Sequence, residues 1–135
     1  MRIQRAETPA RLDGFAAAER FFAHCFMTPA NRSLEQLWVA HLDDAANCLK
    51  LTRHGGSART VGLPVRDILR DAAALGSAGV VIAHNHPSGD PTPSAEDCRA
   101  TRSLARAAEA IDLAVVDHLV FAGDECRSFR RMGYL

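Results

Sequence analysis

His84 and His86 stand one residue apart in the run IAHNHPSGDPTPSAED, residues 82–97, and a carboxylate, Asp97, closes it. Imidazole nitrogens and carboxylate oxygens are common ligands of divalent metal ions, zinc above all. In a strand, residues two apart point to the same side, so both rings reach one ion if the strand continues to His86. Pro87 cannot continue a ladder and ends it there. The loop at residues 87–93, PSGDPTP, carries three prolines and one glycine. Such a loop has fewer unfolded conformations to lose and reverses the chain at low entropic cost. Ser94 then falls at a helix N-cap and Asp97 on the first turn, where exposed amides favour an anion. Three protein ligands leave a tetrahedral ion one position for water, as in catalytic zinc sites. The competing reading is structural: Ser94-Ala95-Glu96-Asp97 is a serine capping pattern with an acid at N3, enough by itself to start a helix.

Zinc lowers the pKa of a bound water toward ~7, and hydrolysis then needs a base to take and return the proton. Glu19, Glu35, Asp43, Asp44 and Asp67 are the candidates, and spacing does not choose among them. Glu35 opens a strand, a rigid place to hold a carboxylate; its plain role is a solvated strand end. The letters HNH do not make a nuclease of that name, whose motif residues are dispersed over a ββα unit. Zinc deaminases use H-x-E followed by P-C-x-x-C. Here His86 stands where that Glu belongs and Cys98 stands alone, so deamination is disfavoured.

The elements around this run follow from periodicity. Residues 8–27 read as a helix, with Thr8 as cap, Pro9 in its first turn, and Phe15, Phe22 and Phe26 as a core-facing stripe. Residues 35–42 read as a strand, Asp43 and Asp44 as a turn, and residues 46–53 as the returning strand, broken by His54, Gly55, Gly56 and Ser57. Residues 57–63 suggest a further short strand, and Pro64 starts a helix running to about Leu75. The apolar run at residues 79–83 fits a strand buried on both faces. Residues 95–110 form a helix with Leu104, Ala107 and Ala108 on one side, and residues 113–121 a strand containing Asp117 and His118. The order implies a mixed α/β fold, a sheet packed by helices.

A chain of 135 residues is one domain by size, and it is 47% hydrophobic and 24% charged, ordinary for a globular protein. Sixteen basic residues balance sixteen acidic ones, which gives no overall footprint for nucleic acid or an anionic membrane. No apolar run of signal-peptide or membrane-spanning length is present, and the expected location is the cytoplasm. Cys25, Cys48, Cys98 and Cys126 are widely spaced, as expected of core thiols in a reducing compartment.

With these residues in hand, the chain resembles the RadC family, a bacterial branch of the JAB1/MPN/JAMM metalloprotease-like superfamily. The JAMM pattern is a distant Glu, then H-x-H, seven residues, Ser, two residues, Asp. His84-Asn85-His86, residues 87–93, Ser94 and Asp97 fit it without a gap. The likeness covers roughly residues 33–133. LAVVDHLVF matches the family's strand with its Asp-His pair, and CRSFRRMGYL its closing segment. Pro64-Val65-Arg66-Asp67 stands where the family usually writes H-P-R-E. Full-length members carry a helix-hairpin-helix-like N-terminal region for which this chain has no room. The division implied is an N-terminal helical segment, 1–32, and a JAB/MPN-like domain, 33–135, with a mainly antiparallel mixed sheet.

The resemblance implies that His84, His86 and Asp97 hold Zn²⁺. It singles out Glu35 as the base acting on the fourth-site water, and gives Ser94 the tetrahedral oxyanion or the metal water to hydrogen-bond. Asp117 and His118 read equally as a pair orienting a ligand imidazole or as a polar pair at a strand kink. The implied reaction is hydrolysis of an amide, peptide or isopeptide, in a peptide or protein substrate that the sequence does not identify. Two other readings compete. One is a DNA-processing role, suggested by the family's DNA-repair label; it needs a basic face, for which Arg99, Arg102, Arg106, Arg127, Arg130 and Arg131 are the candidates. The other is a metal-bearing or metal-free interaction module without turnover. No membrane partner is expected, and the sequence leaves the oligomeric state open, a homodimer included.

Overall fold

The computed structural model describes residues 9–26, 33–55 and 63–135. Five strands form one sheet in the order β2-β1-β3-β4-β5. They are β1 Gln36–Leu42, β2 Cys48–Gly55, β3 Gly79–Asn85, β4 Ala114–Ala122 and β5 Glu125–Ser128. All neighbours pair antiparallel except β3 and β4, which run parallel. The helices are α1 Phe15–Ala23, continued by a 3₁₀ turn at His24–Phe26, then α2 Val65–Leu75, α3 Ala95–Glu109 and α4 Phe129–Met132. A mixed α/β domain with a mainly antiparallel sheet is the architecture expected.

Alternation along β3 divides the core. Val81 and Ala83 face α1 with Leu12, Ala18, Phe22, Phe26, Ala40, Leu42 and Leu119. Val80 and Ile82 face α2 and α3 with Val39, Ile68, Ala72, Leu104, Ala108, Leu113 and Val115. Every residue of β3 is buried, as its unbroken apolar run predicts. Phe22 and Phe26 carry the aromatic stripe of α1 into the first core; full burial of one such ring stabilises by about 1.5–3 kcal/mol.

Residues 9–14 depart from expectation: they are not helical. The Leu12 amide donates to Ala46 O and the Cys48 amide to Ala10 O, both at 2.8 Å. This stretch therefore pairs with the β1–β2 turn, and the helix begins only after Gly14, whose φ of +95° a residue with a Cβ rarely adopts. His54 and Gly55 belong to β2 instead of breaking it. Pro64 is the N-cap of α2, one place before the first helical residue. The strand expected over 57–63 lies mostly outside the described residues. β5 and α4 occupy the closing segment, for which periodicity gave no element.

Candidate metal centre

The site lies where β1 begins and β3 ends, beside the start of α3. β3 alternation puts His84 on the α3 side with Val80 and Ile82. β3 stops at Asn85, but the His86 amide still donates to Phe121 O at 2.8 Å, so His86 keeps the extended register one residue further. Its ring comes round to His84, with Nε2 atoms 2.9 Å apart. Glu35, immediately before β1, shares this face with Leu37; the ligand atoms of Glu35, His84 and His86 all lie within 4.8 Å of one another. Pro87, Gly89 (φ +87°) and an Asp90 side chain that accepts the Thr92 amide at 3.0 Å turn the loop toward α3.

Ser94 caps α3 as expected. Its Oγ accepts the Asp97 amide at 2.9 Å, and Asp97 Oδ2 accepts the Ser94 amide at 3.1 Å, a reciprocal capping box. The same Oδ2 lies 3.6 Å from His84 Nε2 and 3.5 Å from His86 Nε2. Those separations are long for hydrogen bonds and suit atoms facing a shared cation. In a tetrahedral site with bonds of about 2.0–2.1 Å, ligand atoms sit about 3.3–3.4 Å apart. The triangle of 2.9, 3.5 and 3.6 Å brackets that value, so the donor set fits an ion such as zinc.

Electrostatics agree with this grouping. Burial alone would raise the Asp97 carboxyl, but the facing imidazoles and the Ser94 amide outweigh it and hold it far below the ordinary carboxylate range. His86 is raised above 6.5, chiefly by Asp97, against partial burial. His86 Nδ1 lies 2.8 Å from Asp90 O, a carbonyl that can only accept. The ring therefore carries a proton at Nδ1, and in its neutral form offers a lone pair at Nε2.

Behind His84 runs a buried relay. His84 Nδ1 is 2.6 Å from His118 Nε2, and His118 Nδ1 is 2.7 Å from Thr101 Oγ1. His118 is fully enclosed, and burial followed by the neighbouring His84 pushes its pKa well below 6.5, so it is neutral. It reaches this face through a bulge. β4 pairs Val115 with Val80 but Asp117 with Val81, so the extra residue, Val116, shifts the alternation and turns His118 toward α3. Asp117 consequently faces the other way. It accepts the His118 amide at 2.7 Å, Ser128 Oγ at 2.5 Å and the Arg130 amide at 3.1 Å, and makes no contact with a ligand imidazole. Glu35, His84, Ser94, Asp97 and His118 thus line one cleft together with Thr101, while Asp117 lies outside it.

Among the other base candidates, Asp43 is committed to its turn, accepting the Ala45 and Asn47 amides at 2.9 Å. Asp67 pairs with Arg70 at 3.1 Å. Glu19 lines a different cleft, toward α1 and β5. Thr101 and Asn85 are contributors that sequence reasoning missed. Asn85 sits between the two histidines of the motif, and Thr101 lies one helical turn beyond Asp97, the one signal each offered.

The sequence pattern of the RadC-like JAB domain matches residues 15–134. Among similar proteins, a UPF0758 protein of Bordetella avium is 34% identical over 115 residues, covering 83% of this chain and 50% of that protein. One from Ruegeria pomeroyi is 37% identical over 114 residues, with the same 83% and 50% shares. One from Cupriavidus pinatubonensis is 34% identical over 137 residues, covering 100% of this chain and 58% of its own length. The chain therefore spans about half the length of these relatives.

Proposed function

We propose that this chain, which belongs to the RadC-like JAB domain family, is a zinc-dependent hydrolase of JAMM type that cleaves an amide bond of a peptide or isopeptide. The observation that carries this reading is the convergence of two imidazoles and a carboxylate oxygen within 2.9–3.6 Å of one another, beside a glutamate in the same cleft. His84, His86 and Asp97 hold the ion. When bound, zinc makes a water acidic enough to ionise near neutral pH and polarises a carbonyl oxygen. Glu35 takes the proton of the attacking water and returns it to the leaving nitrogen. Ser94 Oγ accepts the Asp97 amide through a lone pair, which leaves its O–H to donate to the developing oxyanion.

The arginines proposed for DNA are unevenly placed. Arg99, Arg102 and Arg106 lie exposed on α3. Arg130 instead donates to Val115 O and Val116 O at 3.1 and 2.6 Å, and Arg131 stacks over the Phe15 ring at 4.3 Å. Part of the basic set is thereby spent on holding the C-terminal segment, which favours hydrolysis over nucleic-acid processing. All four cysteines are free thiols, in keeping with a cytoplasmic location. Among the described residues, no helix is long and apolar enough to cross a membrane.

Elemental analysis of purified protein against His84→Ala tests the metal, with stoichiometric zinc expected only in the former. Glu35→Gln should retain zinc and lose about 10²–10⁴-fold of the hydrolysis measured on peptide and isopeptide libraries. Zinc retained by His84→Ala, or full activity in Glu35→Gln, overturns the reading. Zinc binding without turnover on any library member favours the interaction module.

A further inference from the structure

The β1–β3 ladder runs from Leu42 opposite Gly79 to Leu37 opposite His84 and then stops. Glu35 lies beyond its last rung, and among the described residues the β1–β2 ladder also stops one residue short of it, at Gln36 opposite Gly55. A side chain fills the gap. The Gln36 amide donates to Asn85 Oδ1 at 2.7 Å, and Asn85 Nδ2 donates to Leu34 O at 3.0 Å. These two backbone groups belong to the residues on either side of Glu35. Asn85 is 5% exposed, so water competes little for either bond. Strand alternation points it away from the face of His84 and His86, and it grips the Glu35 segment from behind.

We infer that Asn85 is the positioning residue for Glu35: its carboxamide replaces the missing rung and holds the base over the two imidazoles. The inference rests on the reading of Glu35 as the base of that site. A carboxamide suits this place because it offers one acceptor and one donor on a planar group, as a peptide does. Aspartate would keep the acceptor for Gln36 but set a carboxylate oxygen against the Leu34 carbonyl. Alanine reaches neither group. Because one tripeptide carries both metal-binding imidazoles and this clamp, the register of β3 fixes ligands and base together.

NMR on the full chain, metal-free and with Zn²⁺ added, compares the parent with Asn85→Asp and Asn85→Ala. Nuclear Overhauser contacts between the Glu35 side chain and the His84 and His86 ring protons should be present in the parent and lost in both variants. The Gln36 amide should exchange at least about tenfold faster in Asn85→Ala, because its bonded state becomes an open one. Zinc affinity should stay within about threefold, since His84, His86 and Asp97 and their orienting contacts remain. Glu35-to-imidazole contacts that persist in both variants overturn the inference. So does a loss of zinc in Asn85→Ala as complete as in His84→Ala, which would make Asn85 a support of the ligands. If Asn85→Ala does not fold, the near-isosteric Asn85→Asp carries the comparison. A parent protein that takes up no zinc defeats the hydrolase reading, while the metal-free contacts still decide the role of Asn85.

Discussion

Replacing Thr101 by valine should weaken zinc binding although Thr101 lies one residue removed from any ligand. To bind through Nε2, His84 must carry its proton on Nδ1 and donate it to His118 Nε2, 2.6 Å away. His118 must then carry its own proton on Nδ1 and donate to Thr101 Oγ1 at 2.7 Å. Without the ion, the opposite set is equally satisfied: Thr101 donates to His118, His118 to His84, and His84 to His86 across 2.9 Å. A hydroxyl can end both sets because it donates and accepts. Valine conserves the shape and ends neither. In the metal-binding set the His118 Nδ1–H is then buried without a partner, a cost of about 1–3 kcal/mol, whereas in the metal-free set only a ring lone pair goes unpaired, the smaller loss of the two. Affinity for zinc should fall about 10–100-fold, the range usual for an outer partner of a ligand histidine. Competition against a chromophoric chelator at constant pH measures it, with Thr101→Ser expected to restore most of the loss. Equal zinc affinity in Thr101→Val and the parent, with both folded, would refute the relay.

Asp97→Asn isolates the carboxylate in the metal-free protein. The folded pKa of Asp97 is depressed, so its contribution is complete above about pH 4 and is lost as pH falls from there. That of His86 is raised, so its contribution is complete below 6.5 and fades as pH rises through the folded value. The deficit of Asp97→Asn in urea unfolding should therefore peak between about pH 4 and 6.5, at about 1–3 kcal/mol; a deficit that does not vary with pH would mean that the variant has lost only its cap. Asp117→Ala should cost about 2–4 kcal/mol, since it strands the Ser128 hydroxyl and two amides, yet bind one zinc per chain. Zinc lost with little change in stability would put Asp117 in the site after all.

The convergence of His84, His86 and Asp97 was legible because its geometry is local. One strand, one stiff loop and one capped turn bring His84, His86 and Asp97 together within a few residues, and each step has its own sequence signal. Long-range pairing was not legible. His118 meets His84 across 34 residues of chain, and only the bulge at Val116 turns it the right way. Nothing in Val115-Val116 announces a bulge, and without one His118 would face α1. Residues 9–14 failed for a like reason: local propensity favours a helix, but hydrogen bonds to Ala46 and from Cys48, far along the chain, win. The closing segment was missed because β5 has four residues and α4 four, too short for either periodicity to register.

Capping and metal binding at Asp97 stood as alternatives on sequence, and the position of one oxygen is compatible with both. Oδ2 accepts the Ser94 amide and faces both imidazoles. The capping box fixes the Asp97 rotamer before any ion arrives, so less side-chain entropy is lost on binding. An ion bound there would in turn neutralise an anion already held at a helix N-terminus. A serine cap is therefore part of how the site forms, which gives a JAMM-type motif a physical reason to keep serine three residues before its acid, besides any contact of that hydroxyl with substrate.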